Sequence, residues 1–123
     1  MSIDELLAAW KNAVARGDAA AAAALVAEDA EFWSPGAPPL RGRAAVQALF
    51  HTFFESYSLT QEFEEIERVV DGDLAFIRGF EHNTLTPKGG EGGTIDQRAF
   101  MILRRNENGD WQFWRGMTNL ETR

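Results

Sequence analysis

The sequence contains no cysteine among its 123 residues. Disulfide bonds and thiolate metal sites are therefore excluded, and folding requires no oxidising compartment. Long apolar runs are also missing, since the longest, from Ala19 to Ala27, is too short to span a bilayer. The acidic residues Asp4 and Glu5 stand where a signal peptide would carry basic ones. We therefore expect a cytoplasmic protein that does not interact with membranes.

Positive charge is scarce: 12 Lys and Arg residues face 19 Asp and Glu residues, for a formal net charge of −7. An acidic surface repels phosphates, which disfavours nucleic acid as a partner. The sequence has only two histidines, His51 and His82, and no metal site is expected. The glycine-rich run 89–93 lacks the helix and lysine of a phosphate-binding loop and is interpreted as a turn. We expect no cofactor.

The residues that are abundant are hydrophobic, at 45% of the chain, and include nine Phe and four Trp. A chain of this length with this much apolar material predicts a single domain, residues 1–123, with one core.

The first half of the sequence predicts three helices. Ser2 and Glu5 form a capping box before an apolar stripe, and Gly17 can end that helix. Asp18 caps a second helix, which runs to about Val26. After a short strand at 31–34 and a proline-rich loop at 35–42, a third helix begins near Ala44 and carries a bulky aromatic stripe.

The second half predicts an antiparallel meander of four strands, because alternating apolar residues are separated by turn signals such as Asp71-Gly72. The predicted strands are 60–70, 74–86, 94–105 and 111–119. Helices followed by a meander are typical of an α+β fold. We expect a curved, cone-shaped antiparallel sheet packed on the three N-terminal helices, with an apolar pocket between them.

The strand 94–105 carries bulky apolar residues on both faces. Asp96, Arg98, Phe100 and Ile102 share one face, and Gln97, Ala99, Met101 and Leu103 share the other. Helices can cover only one of them, which predicts a homodimer through the other sheet face. The alternative is a hydrated face with scattered hydrophobic residues.

Three residues are candidates for catalysis. If Asp96 and Arg98 point into the apolar interior, burial raises the pKa of the carboxyl unless the arginine offsets it, and the carboxyl can then exchange protons near neutrality. The alternative is an inert charge pair at the rim of the sheet. His82 is either a general base or a hydrogen-bonded rim residue, and His51 is interpreted as exposed.

The sequence resembles the superfamily of ketosteroid isomerases and SnoaL-like polyketide cyclases, which share the cone-shaped fold of nuclear transport factor 2. The resemblance covers nearly the whole chain and is carried by these segments: 9–10 with 15–18, 25–32, 35–36, 40–46, 71–75 and 108–111. It implies a homodimer with a pocket between helices and sheet, whereas the activity depends on individual residues.

The resemblance also assigns roles. In the steroid isomerases a tyrosine on the first helix and a protonated aspartate form the oxyanion hole, and an aspartate before a proline is the base. Asp96 matches the oxyanion aspartate, Trp10 stands at the tyrosine position with an indole N–H that can donate, and Ser34 stands at the base position before Pro35. Related epoxide hydrolases use an arginine with aspartates, which Arg98 and Asp96 match in part.

These observations predict a small-molecule protein of the SnoaL-like class. If catalytic, it performs cofactor-free proton transfer (isomerisation, cyclisation, dehydration or hydration) on an apolar, carbonyl-bearing substrate. Asp96, Arg98 and His82 are the predicted catalytic residues. The predicted substrate-binding residues are Trp10, Phe32, Ser34, Phe50, Phe54, Arg78, Phe80 and Phe100. The alternative is a non-catalytic ligand-binding or dimerisation module, which the serine at the base position favours.

Overall fold

The structure is a computed structural model, and it describes residues 1–121. Three helices and six strands follow one another in the order α1 Ile3–Arg16, α2 Ala19–Ala23, β1 Val26–Trp33, β2 Leu40–Arg41, α3 Arg43–Ser56, β3 Tyr57–Asp71, β4 Leu74–Pro87, β5 Gly93–Arg105 and β6 Trp111–Leu120. This is the predicted α+β fold, with the helices packed on a curved, unclosed sheet.

The ends of the first two helices are set by local hydrogen bonds. The Ser2 hydroxyl accepts from the Glu5 backbone N–H while the Glu5 carboxylate accepts from the Ser2 N–H, which confirms the capping box. Gly17 ends α1 in the left-handed conformation, at φ 68°. The Asp18 carboxylate then accepts from the Ala21 N–H at 2.9 Å and starts α2.

The sheet has the strand order β2-β1-β6-β5-β4-β3. All neighbours are antiparallel except β1 and β6, which run parallel. The structure differs from the prediction in the first half of the chain. β1 starts earlier than expected, and Leu40 and Arg41 form a short edge strand within the predicted loop because they pair with Phe32 and Glu31.

A bulge in β3, between Glu65 and Glu67, contributes to the curvature of the sheet. An extra residue on one strand bends it and increases its local twist. Opposite the bulge lies Gly79, where an added Cβ would overlap the backbone carbonyl of Glu64. Glycine at this position allows the two backbones to approach closely.

Side chains alternate between two faces of the sheet, which we call the inner face and the outer face. The inner face packs against the helices and contributes Ala75, Ile77 and Leu103 to the buried core. The outer face has no covering element within the described residues. There Phe76 and Phe100 stack with ring centroids 5.3 Å apart, and Phe100 remains 45% exposed.

Candidate active site

A cavity of about 430 Å³ lies between α1, α3 and the inner face of the sheet. Its wall is largely apolar and includes the aromatic residues Trp10, Phe32, Phe50, Phe63 and Phe113. Trp10 is held edge-on between the rings of Phe50 and Phe113, at centroid distances of 5.5 and 5.3 Å. A concave, largely apolar wall of this kind favours a small apolar molecule over a polymer.

Of the three carboxyl groups in the described lining of the cavity, one is buried. Glu81 of β4 lines the cavity and is only 7% exposed. No group within residues 1–121 donates a hydrogen bond to it. Burial disfavours the charged form and raises the pKa of Glu81 to about 7. At neutral pH the group therefore exists in both protonation states and can accept or donate a proton.

Gln97 of β5 stands directly opposite Glu81 across the antiparallel pair. Opposite residues on one face have Cβ atoms about 5 Å apart, so both side chains reach the same part of the cavity. Gln97 lines the cavity and also a second one beside it. Its amide adds a hydrogen-bond donor next to the carboxyl.

Three polar side chains form a hydrogen-bonded chain along the wall. The Trp10 indole N–H donates to Gln61 Oε1 at 2.7 Å, and Gln61 Nε2 donates to Asn83 Oδ1 at 2.7 Å. Asn83 follows Glu81 by two residues on the inner face of β4 and is likewise only 7% exposed. The Trp10 N–H, both ends of the Gln61 amide and the Asn83 oxygen are thereby paired, which makes their position inside the protein favourable.

The cavity has one cation in its described lining, and it is already paired. Lys11 of α1 lies 2.9 Å from the Glu62 carboxylate on β3. A second carboxylate of the lining, Glu65, is bonded by Arg68 at 2.8 Å. The lining therefore offers no unpaired positive charge to an anionic ligand.

Comparison with known proteins identifies the family. Residues 7–114 match the SnoaL-like domain. The chain belongs to the SnoaL-like family. No curated protein matches its sequence significantly.

Solved structures agree with the SnoaL-like assignment. A ketosteroid isomerase-like protein from Erwinia carotovora atroseptica is 26% identical over 98% of this chain and 95% of its own, with a TM-score of 0.83. Two further structures share the fold at lower identity. A nuclear transport factor 2-like protein from Salmonella enterica is 15% identical (98% and 89% coverage, TM-score 0.85), and a candidate dehydratase from Streptomyces avermitilis is 20% identical (98% and 95% coverage, TM-score 0.81).

Four of the predicted substrate-binding residues of this SnoaL-like chain line the cavity: Trp10, Phe32, Ser34 and Phe50. The Trp10 N–H, which was expected to donate to a ligand, donates to Gln61 Oε1 in this structure.

The other four predicted binding residues are not in the described lining of the cavity. Phe54 packs on Phe50 and Phe53 and lies beside Gly17 instead. Arg78, Phe80 and Phe100 alternate onto the outer face of the sheet, since Ile77, Glu81 and Ala99 occupy the inner face.

The three predicted catalytic residues, Asp96, Arg98 and His82, also lie on the outer face. His82 Nδ1 is 3.0 Å from Asp96 Oδ1, His82 Nε2 is 3.4 Å from Glu64, and Arg98 donates to Asn119 at 2.7 Å. The hydrogen bond to Asp96, followed by that to Glu64, raises the pKa of His82. None of these side chains contacts the cavity, so the geometry offers them no reaction with a ligand bound there.

Glu81 is the residue that the sequence analysis missed. Its signal was present in β4, where positions 75, 77, 79 and 81 read Ala, Ile, Gly and Glu. A single carboxylate continues a series of small and apolar residues on one face. The next residue, His82, points to the opposite face.

Within residues 1–121 no group of three His, Asp or Glu side chains is arranged to hold a metal ion. No described helix combines the length and apolarity needed to cross a membrane.

Proposed function

We propose that this SnoaL-like protein binds a small, neutral, carbonyl-bearing molecule in the cavity and transfers a proton on it without a cofactor. The observation that carries this proposal is a buried carboxyl, that of Glu81, with a pKa of about 7 in a largely apolar wall. A general base is most effective when its pKa lies near the working pH. The lack of an unpaired cation in the described lining favours a neutral substrate.

The proposed step is the removal of a proton from the carbon next to the carbonyl. The carboxylate of Glu81 accepts that proton, the C–H electron pair becomes the C=C bond of an enolate, and the charge moves to the carbonyl oxygen. The Gln97 amide donates a hydrogen bond to this oxygen. Return of the proton to another carbon gives isomerisation, and loss of a leaving group gives dehydration.

The experiment uses an aromatic ketone, 2-tetralone, as the probe. Incorporation of deuterium from D₂O at its activated carbon is followed by NMR with and without protein. We expect exchange above the buffer rate, rising with pH and levelling off above about 7, where Glu81 is ionised. Glu81→Gln keeps the shape of the side chain and should reduce the exchange to the buffer rate.

The matched control is His82→Gln, which alters the adjacent residue on the outer face. Its exchange rate should equal that of the wild type. Equal rates in wild type and Glu81→Gln would remove Glu81 from the reaction.

The second candidate is a protein that binds the same kind of ligand without transforming it. Ser34, at the position of the family base, favours it because no histidine or carboxylate is bonded to its hydroxyl in the described structure. Binding of the probe without any exchange would select this function.

We also propose that the outer face pairs with a second copy of the chain, as the family resemblance implies. Phe100 and Met117 are paired neighbours there and are 45% and 48% exposed, in a cluster with Phe76. Contiguous exposed apolar residues on a sheet favour burial in an interface.

The absence of cysteine suits a reducing compartment such as the cytoplasm.

A further inference from the structure

The direction of the hydrogen-bonded chain from Trp10 to Asn83 is fixed by chemistry. An indole N–H can only donate, so the Gln61 atom that meets it must be the oxygen. The other end of the Gln61 amide is then its NH₂ group, which must meet the oxygen of Asn83. It follows that the NH₂ group of Asn83 points away from this chain.

That NH₂ group has no hydrogen-bond partner among the described residues. Asn83 is more than nine-tenths buried and lines a second cavity, of about 310 Å³. This cavity continues from the first, because Ser34, Leu49, Phe50, Gln61 and Gln97 line both. The NH₂ group opens on this cavity, where a ligand acceptor could pair with it in largely apolar surroundings.

We propose that the second cavity is a specificity subsite in which Asn83 donates a hydrogen bond to an oxygen acceptor of the ligand. The remaining described lining is mostly apolar, with Phe53, Leu59, Leu85 and Ile95. The acceptor is therefore a carbonyl, ether or hydroxyl oxygen at one end of an apolar body. Trp10 and Gln61 are positioning residues that hold the Asn83 amide in the donating orientation.

The subsite indicates which class of ligand the protein binds. This inference rests on the proposed function. Glu81 and Asn83 are two residues apart on one strand face, about 6–7 Å along the strand. The matching ligand is a rigid apolar molecule with two oxygen functions near opposite ends. One oxygen belongs to the reacting carbonyl beside Glu81 and Gln97, and the other is held by Asn83.

The test compares the binding of two naphthalene ketones by calorimetric titration. 2-Acetylnaphthalene has one acceptor, and 6-methoxy-2-acetylnaphthalene adds a second acceptor at the opposite end, with no donor in either. We expect the methoxy compound to bind the wild type about three- to tenfold more tightly, the range of one added hydrogen bond. Asn83→Leu should abolish this gain.

The variant Gln61→Glu separates a hydrogen bond from Asn83 to the ligand from a merely structural role of Asn83. The introduced carboxylate, when ionised, accepts from Trp10 at one oxygen and requires a donor at the other, so the Asn83 amide should turn and present its oxygen to the cavity. The preference should then invert, with the methoxy compound binding more weakly than the unsubstituted one. If either variant still bound the methoxy compound more tightly by the same factor as the wild type, the proposed subsite would be rejected.

A further measurement needs no variant. In NMR spectra of the wild type, the side-chain NH₂ signals of Asn83 should shift with the methoxy compound and stay in place with the unsubstituted one. Identical responses would also overturn the proposal. Failure of both compounds to bind would overturn the subsite and the proposed function together, whereas binding without deuterium exchange would reject only the catalytic step.

Discussion

Glu81 and His82 are neighbours in the chain, yet they lie on opposite faces of β4. The Glu81 carboxyl enters the aromatic cavity, whereas the His82 ring binds Asp96 at 3.0 Å on the outer face. Burial raises the pKa of the first residue, and hydrogen bonds to carboxylates raise the pKa of the second. Glu81 and His82 thus titrate in different environments, and substitutions of one or the other can distinguish their effects.

The first prediction concerns stability and the charge of Glu81. Its pKa is about 7 in the folded protein and near 4.5 in the unfolded chain, so the folded state holds its proton to higher pH. The contribution to stability is therefore complete below about pH 4.5 and is lost as the pH rises through about 7. Relative to Glu81→Gln, the wild type should lose about 3 kcal/mol of unfolding free energy over this range.

Urea denaturation of both proteins at about pH 5 and pH 8.5 measures this difference. His82→Gln serves as the control, because it leaves Glu81 buried. A constant difference between wild type and Glu81→Gln at the two pH values would contradict the buried position of the carboxyl.

The second prediction concerns the His82 pair on the outer face. Because Asp96 accepts a hydrogen bond from His82, Asp96→Asn should lower the pKa of His82 toward its ordinary value. The stabilisation from this pair is present below the unfolded-state pKa of about 6.5 and is lost as the pH rises through the raised folded-state value. Proton NMR of the imidazole signal measures the shift directly.

In the same spectra His51 of α3 is an internal control, since it lies beside Glu55 and not beside Asp96. Its imidazole signals should not respond to the substitution. An unaltered His82 curve in Asp96→Asn would show that the two side chains are not paired in solution.

The third prediction tests the proposed homodimer. Phe100→Glu places a charge in the apolar part of the outer face, where burial against a second copy would be costly. Sedimentation equilibrium should show a dimer for the wild type and at least a tenfold weaker association for the variant.

Val70→Glu is the matched control, because Val70 is similarly exposed, at 52%, and pairs with Ala75 on the side away from Phe100. It should leave the dimer intact. A monomeric wild type, or equal association of the two variants, would reject the outer face as the interface.

The alternation of side chains explains why the sequence analysis predicted the fold better than the site. It grouped Asp96 with Arg98 and Gln97 with Ala99 correctly, because successive residues of a strand point to opposite sides. The same pattern does not say which group meets the helices. Both groups contain bulky apolar residues, so hydrophobicity could not choose between them. The face of Asp96 and Arg98, which was considered for the interior, is the outer face.

The sequence by itself determined the local structure. Ser2, Gly17 and Asp18 specify helix ends through hydrogen bonds and backbone conformations within a few residues, and the turn signals separate the strands. The tertiary structure alone decided which face became the cavity wall. Only when α1 and α3 pack on the curved sheet does Glu81 lose its water and Gln61 join Trp10 to Asn83, residues far apart in the chain. The chemistry of the site depends on burial and on these distant contacts, and neither is encoded in any short segment.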